Sequence, residues 1–243
     1  MAVIEVQNLS TQFGNHLVHQ NISFEVQQHE IFGILGGSGS GKTTLVQQLV
    51  MLNAIQKGTV FMLDKNISEL SLKQSLELKQ SFSYLFQFGA LFSFLNVIEN
   101  ISVMLKEYTN LPSNLIEEVA YTHLHMVGLP TSCAKLYPSQ LSGGMKKRVA
   151  LARSIAMQPK ILFLDEPTSG LDPNSTQSFN ELIVKLKEVL NLTIVMITHD
   201  LETIKEVLDR FIILKQSIIF QGTFKQAQQS THKDVQDFFS HPH

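Results

Sequence analysis

The residues best suited to chemistry are Gly36-Gly37-Ser38-Gly39-Ser40-Gly41-Lys42-Thr43, which match the spacing G-x-x-x-x-G-K-[ST]. Glycines let backbone N–H groups turn inward around phosphate oxygens, where side chains would block them. The N-terminus of a following helix adds the positive end of its dipole. Lys42 supplies a point charge to β- and γ-phosphates, the Thr43 hydroxyl is placed to coordinate Mg²⁺, and Thr44 adds a phosphate contact. The bound species is therefore expected to be ATP with Mg²⁺. A merely flexible Gly/Ser loop would not need the strand-like and helix-like segments that flank this one.

A metal held this way needs an acid, and Asp165 stands at the end of the apolar run Ile161-Leu162-Phe163-Leu164. Glu166 follows it. Where a strand ends the chain turns, so Asp165 can hold Mg²⁺ while Glu166 orients and polarises an attacking water. Leu141-Ser142-Gly143-Gly144-Met145 is a second glycine-bearing segment before a helical pattern of Met145, Val149, Ala152 and Ala156. It reads as another anion cradle, suited to the γ-phosphate of a nucleotide held by a neighbouring subunit.

These segments need elements to hold them. Alternation at Ile4 and Val6, and again at Ile22, Phe24 and Val26, predicts antiparallel strands. The continuous apolar run Ile31-Phe32-Gly33-Ile34-Leu35 predicts a strand buried on both faces, followed by the phosphate loop and an amphipathic stretch over 43–51. Similar runs at 82–86, 161–164 and 193–197 read as central strands of an α/β sheet, with ligand chemistry at their ends. Over about 88–157 the pattern becomes helical: Ile98, Ile101 and Leu105 share one spacing, and Ile116, Val119 and Ala120 another. The segments 211–214 and 218–221 suggest a hairpin, and the tail, about 223–243, is polar apart from Phe224, Val235, Phe238 and Phe239. Spacing of i, i+3, i+4 in the last three suggests a helix packed within the chain.

Composition narrows the partners. The chain has 243 residues, 44% of them hydrophobic, enough for a substantial core. Its net charge of -2 gives no field to attract nucleic acid, and Lys146-Lys147-Arg148 reads as the solvated face of an amphipathic helix. The single cysteine, Cys133, cannot form an internal disulfide, which fits a reducing compartment. No apolar run approaches bilayer-spanning length, so membrane work would need another chain as anchor. His29, before the first buried run, has no evident role, and His123 and His125 are expected to face apart on a helix.

Leu141-Ser142-Gly143-Gly144-Met145 resembles the LSGGQ signature of ATP-binding cassette (ABC) proteins, and its place between the phosphate loop and Leu164-Asp165-Glu166-Pro167 is that of the family. The resemblance spans about 2–222. It implies one nucleotide-binding domain over 1–243, a P-loop NTPase of ABC type: an α/β RecA-like core, an N-terminal antiparallel β subdomain and an inserted α-helical subdomain. It also implies that Glu166, His199, Gln87 and Lys42 are catalytic, that Phe13 stacks on adenine, and that Gln87 reaches Mg²⁺ or its water. Phosphate contacts would come from Gly36, Gly37, Ser38, Gly39, Ser40, Gly41, Lys42, Thr43 and Thr44, and from Ser142, Gly143 and Gly144 of a second copy. Ser169-Gly170-Leu171-Asp172-Pro173 resembles the segment that crosses the dimer interface. Plainer alternatives are a core aromatic for Phe13, an exposed polar residue for Gln87 and a core histidine for His199. Two departures stand out: Met145 replaces the signature's usual glutamine, and His29 replaces a frequent glycine.

Within the family, Phe86-Gln87-Phe88-Gly89-Ala90-Leu91-Phe92, Asn96-Val97 and the LSGGM signature resemble the ATPase of Mla-type transporters, which maintain outer-membrane lipid asymmetry. That resemblance implies a head-to-tail dimer on a permease at the cytoplasmic face of the bacterial inner membrane, an MCE-domain protein beyond it, a STAS-domain protein beside it, and phospholipid as cargo. Phe88, Leu91, Phe92 and Phe94 would offer a groove to a permease helix. Importers of polar solutes such as amino acids share the same catalytic residues, and soluble ABC ATPases are a further alternative.

Overall fold

The computed structural model describes residues 1–87 and 89–240. Contacts divide the chain into two compact units, one of residues 1–79 with 192–243 and one of residues 80–191.

In the first unit β1 (Ala2–Phe13) and β2 (His16–Gln27) pair antiparallel, with Ile4, Val6, Ile22, Phe24 and Val26 buried as their alternation requires. β3 (Ile31–Leu35) is buried along its whole length and leads into the glycine loop and α1 (Lys42–Leu49). β4 (Lys57–Met62) adds to β1, β5 (Lys65–Asn66) adds to β4, and α2 (Leu72–Lys79) ends this stretch.

The second unit begins with β6 (Phe82–Leu85), continues through α3 (Val97–Tyr108), α4 (Ser113–Met126) and α5 (Gly143–Ile155), and returns through β7 (Ile161–Asp165) to α6 (Pro173–Leu190). β6 and β7 are parallel. β7 is buried from Ile161 to Leu164 as expected of a central strand, but β6 lies at an edge with only Leu85 buried. Its apolar run reflects aromatic packing, Phe82 against Phe163 and Tyr84 against Phe86, rather than burial on both faces. Asn96 caps α3 by accepting from Glu99 N at 2.9 Å while Glu99 Oε2 accepts from Asn96 N at 2.8 Å, a reciprocal cap of about 1 kcal/mol. Asn100, fully buried, donates to the carbonyls of Phe92, Leu95 and Asn96 and so fixes the loop before the helix.

The chain re-enters the first unit with β8 (Thr193–Ile197), α7 (Leu201–Glu206), the antiparallel pair β9 (Arg210–Leu214) and β10 (Ile218–Gly222), α8 (Phe224–Gln228) and α9 (Lys233–Ser240). β3 pairs parallel with both β8 and β9. Val235 of α9 is fully buried and Phe239 packs edge-on against Phe211 and Phe224, so the tail helix is held by its own chain. His29 takes φ 64°, the left-handed region in which glycine is favoured. Among the described residues no helix is long and apolar enough to cross a membrane.

Candidate functional site

The phosphate loop lies in the first unit. Buried β3 delivers the chain to Gly36, where φ is 152° and an added Cβ would collide with the Leu214 carbonyl and lie 2.6 Å from Ser40 Oγ. At Gly41 φ is 91° and a Cβ would lie 2.5 Å from His19 Nε2. Both positions therefore demand glycine on conformational and steric grounds. Gly41 is the N-cap of α1 and offers no side-chain cap, leaving the first-turn N–H groups to whatever the loop encloses. Lys42 Nζ donates to the carbonyls of Gly36 at 2.8 Å and Gly37 at 2.9 Å, which holds its ammonium across the loop. Ser40 Oγ is buried and has no hydrogen-bond partner, a polar atom whose desolvation costs about 1–3 kcal/mol unless a ligand engages it.

Around the loop, Gly37 and Thr44 are half-buried while Ser38, Gly39 and Thr43 are exposed. A cleft of about 1150 Å³ runs from residues 37–40 past His16, Leu17 and Val18 to the β9–β10 turn and α9. Phe13 ends β1 and is 51% exposed, which removes the core-aromatic alternative; the cleft lining comprises His16, Leu17 and Val18 rather than Phe13. His199 follows β8 and is exposed, so it is no core histidine either. Its neighbour Asp200 caps α7, accepting from Thr203 N at 2.8 Å.

The adjacent acids Asp165 and Glu166 lie in the second unit. β7 ends at Asp165, whose Oδ2 accepts from the Tyr84 hydroxyl at 2.7 Å. Burial, and then the Asp165 carboxylate, hold the Tyr84 phenol far above its ordinary range, so it remains a donor. Glu166 adopts φ 45°, the turn that lets two adjacent carboxylates take different directions. Gln87 Nε2 donates to Glu166 Oε2 at 2.9 Å, bringing together two residues expected at the reacting end of the nucleotide. Beyond Glu166, Ser169 N donates to its carbonyl at 3.1 Å, and Asp172 caps α6 by accepting from Ser175 N at 3.1 Å.

The signature segment starts α5. Ser142 is its N-cap and accepts from Met145 N at 3.3 Å. Ser142 and Gly143 are exposed and Gly144 is half-buried. Neither glycine has positive φ; a Cβ on Gly143 would meet nothing within 4 Å, and one on Gly144 only Leu171 Cδ2 at 3.9 Å.

Lys147, Arg153 and Tyr84 act beside the expected site residues without having been singled out for the site. Lys147, expected on a solvated face, is instead buried, and its Nζ donates to the Pro167 carbonyl at 2.7 Å and to Ser169 Oγ at 3.4 Å. Burial lowers its pKa while Glu166 raises it. Helical spacing explains the difference, because Lys147 shares the buried face with Ala150, Leu151 and Ser154. Arg148 donates to the Val127 carbonyl at 2.7 Å and to Ser178 Oγ at 2.8 Å, so it too serves structure. Arg153 donates to the carbonyls of Gly89 at 2.6 Å and Ala90 at 2.9 Å and lies over the Phe92 ring, anchoring the segment after Gln87. Tyr84 is the third; it pairs with Phe163, two residues before Asp165 and on the same face of the neighbouring strand.

The ABC transporter family model matches residues 19–169. The intermembrane phospholipid transport ATP-binding protein MlaF of Haemophilus influenzae is 38% identical over 97% of this chain and 89% of that protein. The methionine import ATP-binding protein MetN of Francisella tularensis is also 38% identical, over 89% of this chain; the chain spans 63% of that relative's length. Among solved structures, cbiO1 from Clostridium perfringens, part of the cbiONQ transporter complex, superposes with a TM-score of 0.87 at 30% identity, covering 94% of this chain and 91% of that one. The cassette MJ0796, dimeric in a post-hydrolysis state with ADP and phosphate, gives 0.81 at 26% identity over 90% of this chain and 98% of that one. The chain therefore belongs to the ABC transporter family, as an ATP-binding and ATP-hydrolysing subunit with the fold of that family.

Proposed function

We propose that this subunit drives phospholipid transport between inner and outer membranes, and that chain 1–243 works as one cassette in a head-to-tail pair with a second copy. The paired arrangement rests chiefly on Gly143 and Gly144: nothing in their own chain requires glycine, so the close approach that excludes a side chain must come from outside it. Ser142 can accept from Met145 N while its hydroxyl hydrogen points outward to a phosphate oxygen of the partner's nucleotide. Met145 contributes only its backbone N–H to that contact, so the missing glutamine leaves it intact.

Within one subunit, Gly36, Gly37, Ser38, Gly39, Ser40 and Gly41 enclose the phosphates with backbone N–H groups and the Ser40 hydroxyl. Lys42 exchanges its loop carbonyls for β- and γ-phosphate oxygens, and Thr44 adds a contact. Phe13 offers an exposed ring to adenine. Thr43 and Asp165 are hard oxygen donors too few to cage a metal alone, which suits Mg²⁺ because that ion keeps phosphate and water ligands. Mg²⁺ held there, with Gln87 reaching it through water, would supply neutralising charge between the β- and γ-phosphates. Tyr84 steadies the Asp165 carboxylate, Gln87 and the turn at Glu166 aim the second carboxylate at water, and His199 contacts the γ-phosphate.

The cargo assignment rests on Phe86-Gln87-Phe88-Gly89-Ala90-Leu91-Phe92 with LSGGM, and on the extent of similarity to MlaF. Phe92 and Phe94 are exposed, their rings tilted against each other with centroids 5.8 Å apart, and Phe92 is held by Arg153 and Asn100. They form a surface for a permease helix, with Leu91 half-buried beside them; Phe88 lies outside the described residues. The site would then work at the cytoplasmic face of the inner membrane, attached through the permease, with an MCE-domain protein and a STAS-domain protein as further partners and no nucleic acid. Methionine import is the second reading, because MetN reaches the same 38% identity. Co-purification in mild detergent separates the two. A permease recovered with an MCE protein supports lipid; a permease recovered with a periplasmic solute-binding protein would overturn it.

A further inference from the structure

Beneath the phosphate loop lies a chain of polar contacts that the catalytic reading does not use. His19, on β2, is fully buried. Its Nε2 lies 3.1 Å from the Gly41 carbonyl and its Nδ1 3.0 Å from Thr11 Oγ1. Thr11 Oγ1 is in turn 3.1 Å from Gln48 Oε1, and Gln48 Nε2 donates to the Ala54 carbonyl at 3.2 Å. Both ends of this relay are backbone carbonyls, which only accept. The Gly41 carbonyl also accepts from Leu45 N at 2.8 Å, as the first acceptor of α1.

Counting hydrogens decides what the relay needs. Its four contacts are Gly41 to His19, His19 to Thr11, Thr11 to Gln48, and Gln48 to Ala54. A neutral imidazole contributes one hydrogen, the threonine hydroxyl one, and the amide NH₂ of Gln48 one, whichever way the groups are turned. That leaves one contact with two acceptors face to face. An imidazolium donates from both nitrogens and completes every contact. Opposing this, burial lowers the basicity of His19, while the Gly41 carbonyl raises it. No carboxylate compensates: β1 carries only Glu5, far along the strand, and α1 only Lys42, whose ammonium is turned to the Gly36 and Gly37 carbonyls. His16 of β2 is exposed, Glu25 lies toward the far end of that strand, and Lys215 of the β9–β10 turn is paired with Asp234 at 3.2 Å. The relay is short of one hydrogen, and its environment withholds it.

We propose that His19 is a proton-linked positioning residue of the phosphate loop, which takes up a proton as the polyphosphate of a nucleotide settles above Gly41. Negative charge at the start of α1 favours the imidazolium, and the imidazolium's Nε2–H then fixes the Gly41 carbonyl and with it the loop backbone. Nucleotide binding and protonation strengthen each other by reciprocal linkage. Because the proton binds more tightly in the complex, affinity gains are complete below the pKa of the free protein and fade as pH rises through that of the complex. The inference rests on the reading that residues 36–43 bind nucleotide.

The test is calorimetry of ADP with Mg²⁺ binding to the full-length protein, in buffers of different ionisation enthalpy, from about pH 5 to about pH 8. His19→Leu removes the imidazole. Thr11→Val keeps it but deletes both contacts of the Thr11 hydroxyl together with its one hydrogen, so the two contacts left are completed by a neutral His19 donating to Gly41 and by the Gln48 amide. The wild type is expected to take up a fraction of a proton more than either variant per ADP bound, the ligand's own protonation cancelling in the difference. Its affinity relative to Thr11→Val should rise toward low pH by up to about tenfold, the change that one unit of pKa displacement produces. Labelled-histidine NMR of wild type and Thr11→Val reads the same proton on His19 directly. Equal proton uptake in all three proteins, with ADP bound in each, would overturn the role of His19 alone. A wild type that binds no ADP would overturn the loop assignment and this inference with it.

Discussion

The chain has two glycine-bearing segments at helix starts, and they differ in why they contain glycine. In the 36–41 segment, Gly36 and Gly41 sit at positive φ with neighbours of the same chain pressed where a Cβ would go. In the 142–144 segment the backbone is ordinary and the space beside Gly143 is open. Glycine is the worst helix former after proline, so two at the start of α5 lose about 1 kcal/mol each relative to alanine without internal return. The first segment is a finished receptacle; the second is shaped for an occupant that its own chain does not provide. The proposed pairing of two copies per site would account for that contrast.

The strongest way to separate binding from chemistry is Glu166→Gln. Phosphate and metal ligands remain, but water loses its anionic partner, so turnover should fall by about 10²–10³ while ATP affinity stays within about twofold. Gln87 can still meet the new amide, so the local geometry is kept. Normal hydrolysis by this variant, measured as phosphate release, would remove Glu166 from the reaction and leave the two loops as the whole machinery.

The two loops can then be set against each other by the same substitution. Gly36→Ala forces a Cβ against the Leu214 carbonyl, a backbone atom that cannot swing away, so it should lower the melting temperature and abolish nucleotide binding together. Gly143→Ala should leave stability unchanged or raise it by up to about 1 kcal/mol, yet cut turnover at least about tenfold, because the methyl group stands where a partner's phosphate must approach. Full turnover in Gly143→Ala would end the argument that this segment has an outside occupant. Lys42→Ala should act between these extremes: loss of a charge-assisted contact of about 1.5–3 kcal/mol predicts roughly 10- to 100-fold weaker ATP binding with the fold intact. Unchanged affinity in a titration would contradict the role of Lys42.

Much of this contrast was legible in the sequence, for physical reasons that also mark where legibility stopped. Continuous apolar runs reported β3, β7 and β8 because burial on both faces leaves no polar alternation, and the glycine-lysine spacing reported the first loop. Lys147 was misread because a charge run looks solvated unless helical phase is counted residue by residue; at its place the buried face of α5 wins over the charge, and carbonyls satisfy the ammonium. Edge strand β6 reads as central in sequence because edge-on aromatic packing and two-sided burial leave the same apolar signature. Tyr84 on Asp165 and Arg153 on Gly89 are contacts across long stretches of chain, and no local pattern encodes them.

His29 offers the mildest test and isolates the conformational part of glycine's usefulness. It is held at φ 64° immediately before β3, and its N–H donates to Thr193 Oγ1 at 2.9 Å, a bond that glycine would keep. Left-handed geometry costs a side-chain-bearing residue about 1–2 kcal/mol, and glycine's greater freedom in the unfolded chain takes back about 0.4–1 kcal/mol. His29→Gly should therefore raise stability slightly, by no more than about 1 kcal/mol, or about 2–4 °C in melting temperature for a protein of this size. Nucleotide affinity should not move, since the residue lies at the opposite end of β3 from the phosphate loop. A loss of stability would mean that the imidazole's own contacts outweigh the backbone cost, and that positive φ by itself says little about the need for glycine. The demand at Gly36 and Gly41 would then have to be ascribed to crowding alone.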